Sequence, residues 1–164
     1  MSNLILIIDF GSQYTQLIAR RVRESGVYSV VKSNSISKRE ISDLNPAGII
    51  LSGGPDSITS KKKYNLSKNI LNSNIPILGI CYGMQLVTDF FKGKVKPSQK
   101  KEFGHAIFNI EKSSKLFYGL KKGKKLNVWM SHSDKVIKLP KGFESLGSSS
   151  NTKFSAMYSL SLIH

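Results

Sequence analysis

Near its start the chain carries a short apolar run, Leu4–Ile8, that ends in Asp9-Phe-Gly-Ser12, the pattern of a buried strand. From Tyr14 the period changes. Tyr14, Leu17, Ile18 and Val22 share one helical face, Gln16, Arg20, Arg23 and Glu24 fall mostly on the other, and Gly26 is a stop signal. Tyr28–Val31 reads as a second strand. Ser37 followed by Glu40 is a capping-box signature for a short helix that Pro46 must end. Gly48–Leu51 predicts a third strand, broken by Ser52-Gly-Gly-Pro55. A helix over Tyr64–Asn72, a fourth strand over Ile77–Ile80 and a helix over Tyr82–Phe91 follow, the last packing through Leu86, Val87, Phe90 and Phe91.

Strands alternating with helices predict βαβ units and a mostly parallel sheet covered by helices. After Gly93 the pattern changes. Ala106–Ile110, Leu126–Met130, Lys135–Leu139, Ser145–Ser148 and Phe154–Met157 are short strand-like pieces separated by Gly, Pro, Ser and Lys. They predict an antiparallel β layer added to the α/β sheet. The chain closes on an alternating, strand-like tail, Tyr158–His164.

At 164 residues, 40% hydrophobic and 21% charged, the chain has the composition of one globular domain. No run of 18 apolar residues occurs, which excludes a membrane helix. The start lacks the basic region and cleavage site of a secretory signal. A single cysteine cannot form an internal disulfide, and a reducing cytoplasm is the expected compartment. The net charge of +15 raises the question of a polyanionic partner. The excess is nearly all lysine, however, with arginine only at 20, 21, 23 and 39. Lysine suits bidentate recognition of bases or phosphates poorly. The clusters Lys61–Lys63, Lys92/Lys94/Lys96, Lys100/Lys101 and Lys121/Lys122/Lys124/Lys125 lie in loop-like stretches, so a solvated surface is favoured over a nucleic-acid partner.

The chemistry concentrates in Pro76-Ile-Leu-Gly-Ile-Cys81-Tyr-Gly-Met-Gln85. An apolar strand runs straight into a helix, with Cys81 at the junction and Gly79 and Gly83 two residues to either side. That is the cysteine form of the nucleophile elbow, and it projects the side chain above the carboxyl edge of the sheet. A helix N-terminus there favours thiolate over thiol. A small buried core cysteine is the alternative, and the paired glycines and the strand–helix switch argue against it. Leu51-Ser-Gly-Gly-Pro-Asp-Ser57, after the third strand, should lie beside the elbow. The backbone N–H groups of Gly54 and Tyr82 could then form an oxyanion hole. Ser-Gly-Gly-x-Asp-Ser is also the phosphate loop of ATP pyrophosphatases. Here Pro55 deletes a donor from the supposed cradle, and the loop follows the third strand instead of the first.

Five segments together carry a resemblance: Asp9–Glu24, Ile49–Pro55, Gly79–Gln85, Glu102-Phe-Gly-His105 and Val128-Trp-Met-Ser-His-Ser-Asp134. In their order and spacing over residues 4–157 they are similar to the class I, triad-type glutamine amidotransferase domain of the GMP synthetases. The resemblance implies a flavodoxin-like class I amidotransferase fold and hydrolysis of L-glutamine to glutamate and ammonia. It implies Cys81 as nucleophile, with Gly54 and Tyr82 as backbone oxyanion donors. Gln85, Ser131, His132 and Ser133 would then hold the amino-acid end of glutamine. Gln85 as an exposed helix residue and His132 as a turn cap are the plainer readings. His105 reads as a surface histidine and Trp129 as core. The domain itself implies no metal and no cofactor. ATP and magnesium would belong to a synthetase (ATP-pyrophosphatase) domain acting in cis or in trans on xanthosine monophosphate.

The sequence departs from the family pattern at its end. The family's general base sits in a His-Pro-Glu motif, which does not occur here, and only seven residues follow Met157. His164 serves as base only if the intervening hairpin is deleted. Otherwise residues 158–164 are a divergent tail, and glutaminase activity is expected near background. A catalytically dead module that docks a synthetase is the second reading, and a basic nucleic-acid-binding protein the third.

Overall fold

The computed structural model describes residues 3–60, 64, 67–71 and 73–159, without the side chains of 99–103 and 132. The first compact unit runs through Val87, and the second begins at Thr88.

In the first unit, β1 (Leu4–Asp9), β2 (Tyr28–Ser33), β3 (Gly48–Leu51) and β4 (Ile77–Gly79) form a parallel sheet in the order β2-β1-β3-β4. Ile8 pairs with Leu51, and Leu51 with Gly79, so three strands reach their carboxyl ends at one level. The loops beginning at Phe10, Ser52 and Ile80 leave from that common edge. Beneath it Leu6, Ile7, Ile8, Ile49 and Leu51 are fully or almost fully buried. Burial of side chains this size is worth about 1.5–3 kcal/mol each relative to exposure.

Helix α1 (Thr15–Glu24) forms where the period predicted it, but rotated. Thr15 and Ala19 are buried, Ile18 and Val22 half-buried, and Tyr14 and Leu17 exposed. The rotation follows from Asp9: one carboxylate oxygen accepts from the Gly11 N–H at 2.9 Å and the Thr15 hydroxyl at 2.7 Å. Those bonds tie the first turn to the end of β1 through Thr15. Helix α2 (Lys38–Leu44) carries the predicted capping box. The Ser37 hydroxyl accepts from the Glu40 N–H, and the Glu40 carboxylate accepts from the Ser37 N–H. The Ser37 N–H and the Ser37 hydroxyl both donate to the Glu40 carboxylate and hold it below its usual pKa. Asn45, in left-handed conformation at φ 44°, ends the helix just ahead of Pro46.

Helix α3 is shorter than expected. It covers only Lys68–Leu71 of the predicted Tyr64–Asn72, with residues 65, 66 and 72 outside the described set. Tyr64 stands outside the helix, its N–H donating to the Tyr82 hydroxyl at 3.0 Å. Helix α4 (Tyr82–Phe90) buries Leu86, Val87 and Thr88.

The second unit holds an antiparallel sheet in the order β6-β5-β7-β8: β5 (Lys94–Ile110), β6 (Lys125–Lys138), β7 (Glu144–Ser148) and β8 (Ala156–Tyr158). The antiparallel layer was expected; the lengths of β5 and β6 were not. Lys, Pro and Gly between 94 and 105 read as loop, yet β5 runs through them, and Ser131–Asp134 lies inside β6. The ladder is irregular within this stretch, with register shifts at Lys94/Val95 and between Pro97 and Glu102. Trp129, expected in the core, is 75% exposed and pairs with His105 across the ladder. His105 is itself exposed and within hydrogen-bond distance of Asn127. Strand β8 includes Tyr158, the first residue of the segment expected to diverge, while residues 160–164, with His164, lie outside the described set.

Candidate active site

Cys81 adopts φ 50°, the left-handed region that a non-glycine residue enters only under constraint. The constraint is visible on both sides. The Ile80 N–H donates to the Leu51 carbonyl at 2.9 Å, and the Gly83 N–H to the Ser52 carbonyl at 3.1 Å. The bend from β4 into α4 is thereby stitched to the end of β3. A Cβ at Gly79 would stand 2.6 Å from the Met84 nitrogen, and one at Gly83 2.4 Å from the Leu51 carbonyl oxygen. Neither position admits a side chain without moving backbone. The elbow read from Gly-x-Cys-x-Gly is formed, and the buried-core alternative fails, because Cys81 is exposed.

Tyr82, the first residue of α4, is 2% exposed. Its ring meets Phe10 at 5.9 Å and Tyr64 at 6.3 Å between centroids, with Phe10 and Tyr64 at 5.6 Å, all edge-to-face. This aromatic cluster fixes the start of the helix and hence the backbone that follows the sulfur.

The Ser52–Pro55 loop lies against the elbow. A Cβ on Gly53 would come 3.8 Å from the Cys81 Cβ and 3.4 Å from the Ser12 hydroxyl. One on Gly54 would press at 3.1 Å on both the Phe10 carbonyl and the Tyr82 ring. Gly54 is therefore tight for any side chain, whereas Gly53 has ordinary van der Waals clearance. Ser52 is fully buried, and its hydroxyl is engaged inside the protein, accepting from the Phe10 N–H at 3.1 Å and donating to the Gly53 carbonyl at 2.8 Å. A phosphate loop would present that hydroxyl to a ligand; this one turns it inward.

Gln85 is buried, which excludes the plain reading of an exposed helix residue, and its N–H donates to the Cys81 carbonyl at 3.1 Å. Ser131 (exposed) and Ser133 (half-buried) lie on β6 of the second unit, with His132 between them in the ladder. Among the described residues no group of three or more His, Cys, Asp and Glu side chains could hold a metal, and no helix is long and apolar enough to cross a membrane. Ser52 and Phe10 are the site residues that sequence reasoning left without a role. The signal was there in Ser-Gly-Gly-Pro, but nothing in one dimension shows that the hydroxyl points inward.

The sequence predicted a thiolate favoured by the helix N-terminus. Instead, the protein around the Cys81 sulfur removes water and pushes the thiol pKa up. The side chain is accessible, yet its sulfur is partly desolvated. Fewer thiolates are then present at neutral pH than in the unfolded chain, whose cysteine titrates at about 8.5. Iodoacetamide labelling of the native chain should be slower at pH 7 than in urea and should still climb above pH 9, where the unfolded chain levels off. Coincident pH profiles would show that desolvation does not govern the sulfur. The same displacement makes native stability fall as pH rises past the unfolded value, since the native state retains the proton longer.

Against this geometry, the sequence model of the class-I glutamine amidotransferases matches residues 6–162. The chain belongs to the class-I glutamine amidotransferase family. Among curated relatives it is 53% identical over 154 residues to GMP synthase [glutamine-hydrolyzing] of Staphylococcus saprophyticus, and 51% identical to that of Staphylococcus carnosus. Each alignment covers 94% of this chain and 29% of the relative's length. Among solved structures it superposes with TM-score 0.80 on a protein of Thermoplasma acidophilum assigned to GMP synthase, at 30% identity, covering 95% of this chain and 77% of that one. A glutamine amidotransferase of Thermotoga maritima, at 20% identity and TM-score 0.73, shares the fold. The amidotransferase match extends past Met157 into the tail.

Proposed function

We propose that this amidotransferase chain is the glutamine-hydrolysing part of a GMP synthase, releasing ammonia for the ATP-dependent amination of XMP to GMP. The observation that carries the reading is Cys81 at φ 50° on an elbow whose flanking glycines cannot be replaced without moving backbone. The assignment to GMP synthesis is supported by the identity of just over half of the aligned residues to proteins of that name.

In this reading the Cys81 sulfur attacks the side-chain carbonyl carbon of L-glutamine, and the carbonyl π pair moves onto oxygen. The Gly54 and Tyr82 N–H groups donate to that oxygen. The oxyanion collapses as the C–N bond breaks, and the proton taken from the thiol passes to the departing nitrogen so that it leaves as ammonia. Water hydrolyses the thioester to glutamate and restores the Cys81 thiol. By the family resemblance, Gln85 and the Ser131-His132-Ser133 backbone are the positions assigned to the amino-acid end of the substrate. With the thiol pKa raised, Cys81 needs a base to take its proton, and the family's His-Pro-Glu base is absent from this sequence. His164 serves only if the intervening hairpin is deleted, and otherwise the glutaminase activity of this chain alone is near background. The domain works without a cofactor. ATP and magnesium serve a synthetase partner, in cis or in trans, in the cytoplasm.

A chloroketone analogue of glutamine tests the assignment. It should alkylate Cys81 in the native chain, and free L-glutamine should slow the reaction in proportion to occupancy. Labelling no faster than in a Cys81→Ser control, or indifferent to glutamine, would sink the reading.

A further inference from the structure

Ser52 is the deepest polar side chain beside the elbow, and the reaction as described gives it nothing to do. Its hydroxyl accepts the Phe10 N–H at 3.1 Å from the end of β1 and donates to the Gly53 carbonyl at 2.8 Å. Its backbone is held too. The Ser52 N–H donates to the Ile8 carbonyl at 3.0 Å, and the Ser52 carbonyl accepts the Gly83 N–H at 3.1 Å. One residue therefore joins β1, the glycine loop and the helix that carries the nucleophile.

The bond to the Gly53 carbonyl has a directional consequence. A trans peptide is planar, with its C=O and N–H pointing opposite ways. Fixing the Gly53 oxygen inward on a buried hydroxyl therefore sends the Gly54 N–H outward, on a loop whose Gly53 faces the Cys81 Cβ. Among the described residues that N–H has no protein acceptor. Two adjacent glycines have the widest backbone freedom of any residue pair, so without an anchor this peptide could turn over. We propose that Ser52 is a positioning residue, whose buried hydroxyl locks the Gly53–Gly54 peptide so that the Gly54 amide stays aimed at the oxyanion formed on Cys81. The proposal rests on the glutaminase reading above.

The test separates a reaction that develops negative charge beside Gly54 from one that does not. The probe is the nitrile analogue of glutamine, with cyano in place of the carboxamide. The Cys81 sulfur adds to the nitrile carbon, one π pair moves to nitrogen, and that nitrogen takes up the thiol proton, giving a thioimidate visible as an intact-mass increase. Iodoacetamide is the reference: the sulfur displaces iodide, and no charge forms at the hole. Ser52→Ala should slow thioimidate formation by about 10- to 100-fold, the scale of a lost or misaimed oxyanion donor, and leave the iodoacetamide rate close to wild type. Ser52→Thr, which keeps the hydroxyl, should restore nitrile capture. If Ser52→Ala does not fold, Ser52→Cys takes its place and the same ratio of rates is read. Equal rates in variant and wild type overturn the proposal, as does an equal fall for both reagents, since Ser52 would then hold the fold and not the amide. A wild-type chain that never forms the thioimidate while iodoacetamide still labels Cys81 overturns the glutaminase reading and the proposal together.

Discussion

Replacing Cys81 by glycine should remove all covalent capture of glutamine analogues and, at the same time, make the chain more stable. The first half follows from the loss of the one sulfur that can attack. The second follows from φ 50°, where an L-residue with a Cβ costs about 1–2 kcal/mol and glycine almost nothing. Part of that gain is returned, because glycine frees the unfolded chain by about 0.5–1 kcal/mol. The net expectation is a gain of about 1 kcal/mol, or ~3 °C in melting temperature for a chain of this size. Few contacts are lost, because the side chain is exposed. Cys81→Ser is the proper reference, since it abolishes thiol chemistry but keeps the strain. Urea denaturation should rank glycine above serine and wild type. If glycine ranks below serine, the elbow is unstrained and its left-handed turn has another origin.

The opposite outcome is expected at Gly83. A methyl group in Gly83→Ala would sit 2.4 Å from the Leu51 carbonyl oxygen and 2.7 Å from the Leu51 Cβ. Neither atom ends a flexible side chain, so β3 and α4 must separate. Overpacking of this kind costs about 3 kcal/mol. Separation also breaks the Gly83-to-Ser52 hydrogen bond that closes the bend, so reactivity should fall with stability. The expected result is a lowered urea midpoint together with glutamine-protected labelling reduced by about 100-fold, the loss that a 1 Å misplacement can produce. A variant that keeps both its midpoint and its labelling would show that the turn can open without harm. Gly26→Ala is the useful contrast, because φ 78° strains it while nothing lies within 4 Å of its Cβ.

These two positions also show why the site was legible before the fold was known. Gly79, Cys81 and Gly83 are neighbours in sequence as well as in space, so the bend wrote its steric demands into five consecutive residues. The parallel sheet was equally readable, because Leu4–Ile8, Gly48–Leu51 and Ile77–Gly79 are short apolar runs bounded by turn residues. What escaped notice depended on distant partners. Leu17 falls on the apolar face of α1 by its period, but the bond from Thr15 to Asp9 sets the helix rotation. Trp129 looks like core because it is large and apolar, yet the ladder directs it outward beside His105. The stretch from Lys94 to His105 has poor strand propensity and becomes a strand only by pairing with β6 across bulges. The raised pKa of Cys81 is hidden for the same reason, since burial of the sulfur depends on the folded surroundings.

The chain holds a single sulfhydryl, and it lies at the surface. A coloured disulfide reagent therefore counts molecules one for one. Because the folded environment slows the reaction relative to a denatured sample, fast and slow phases of colour release would report, in one cuvette, how much of a preparation is native.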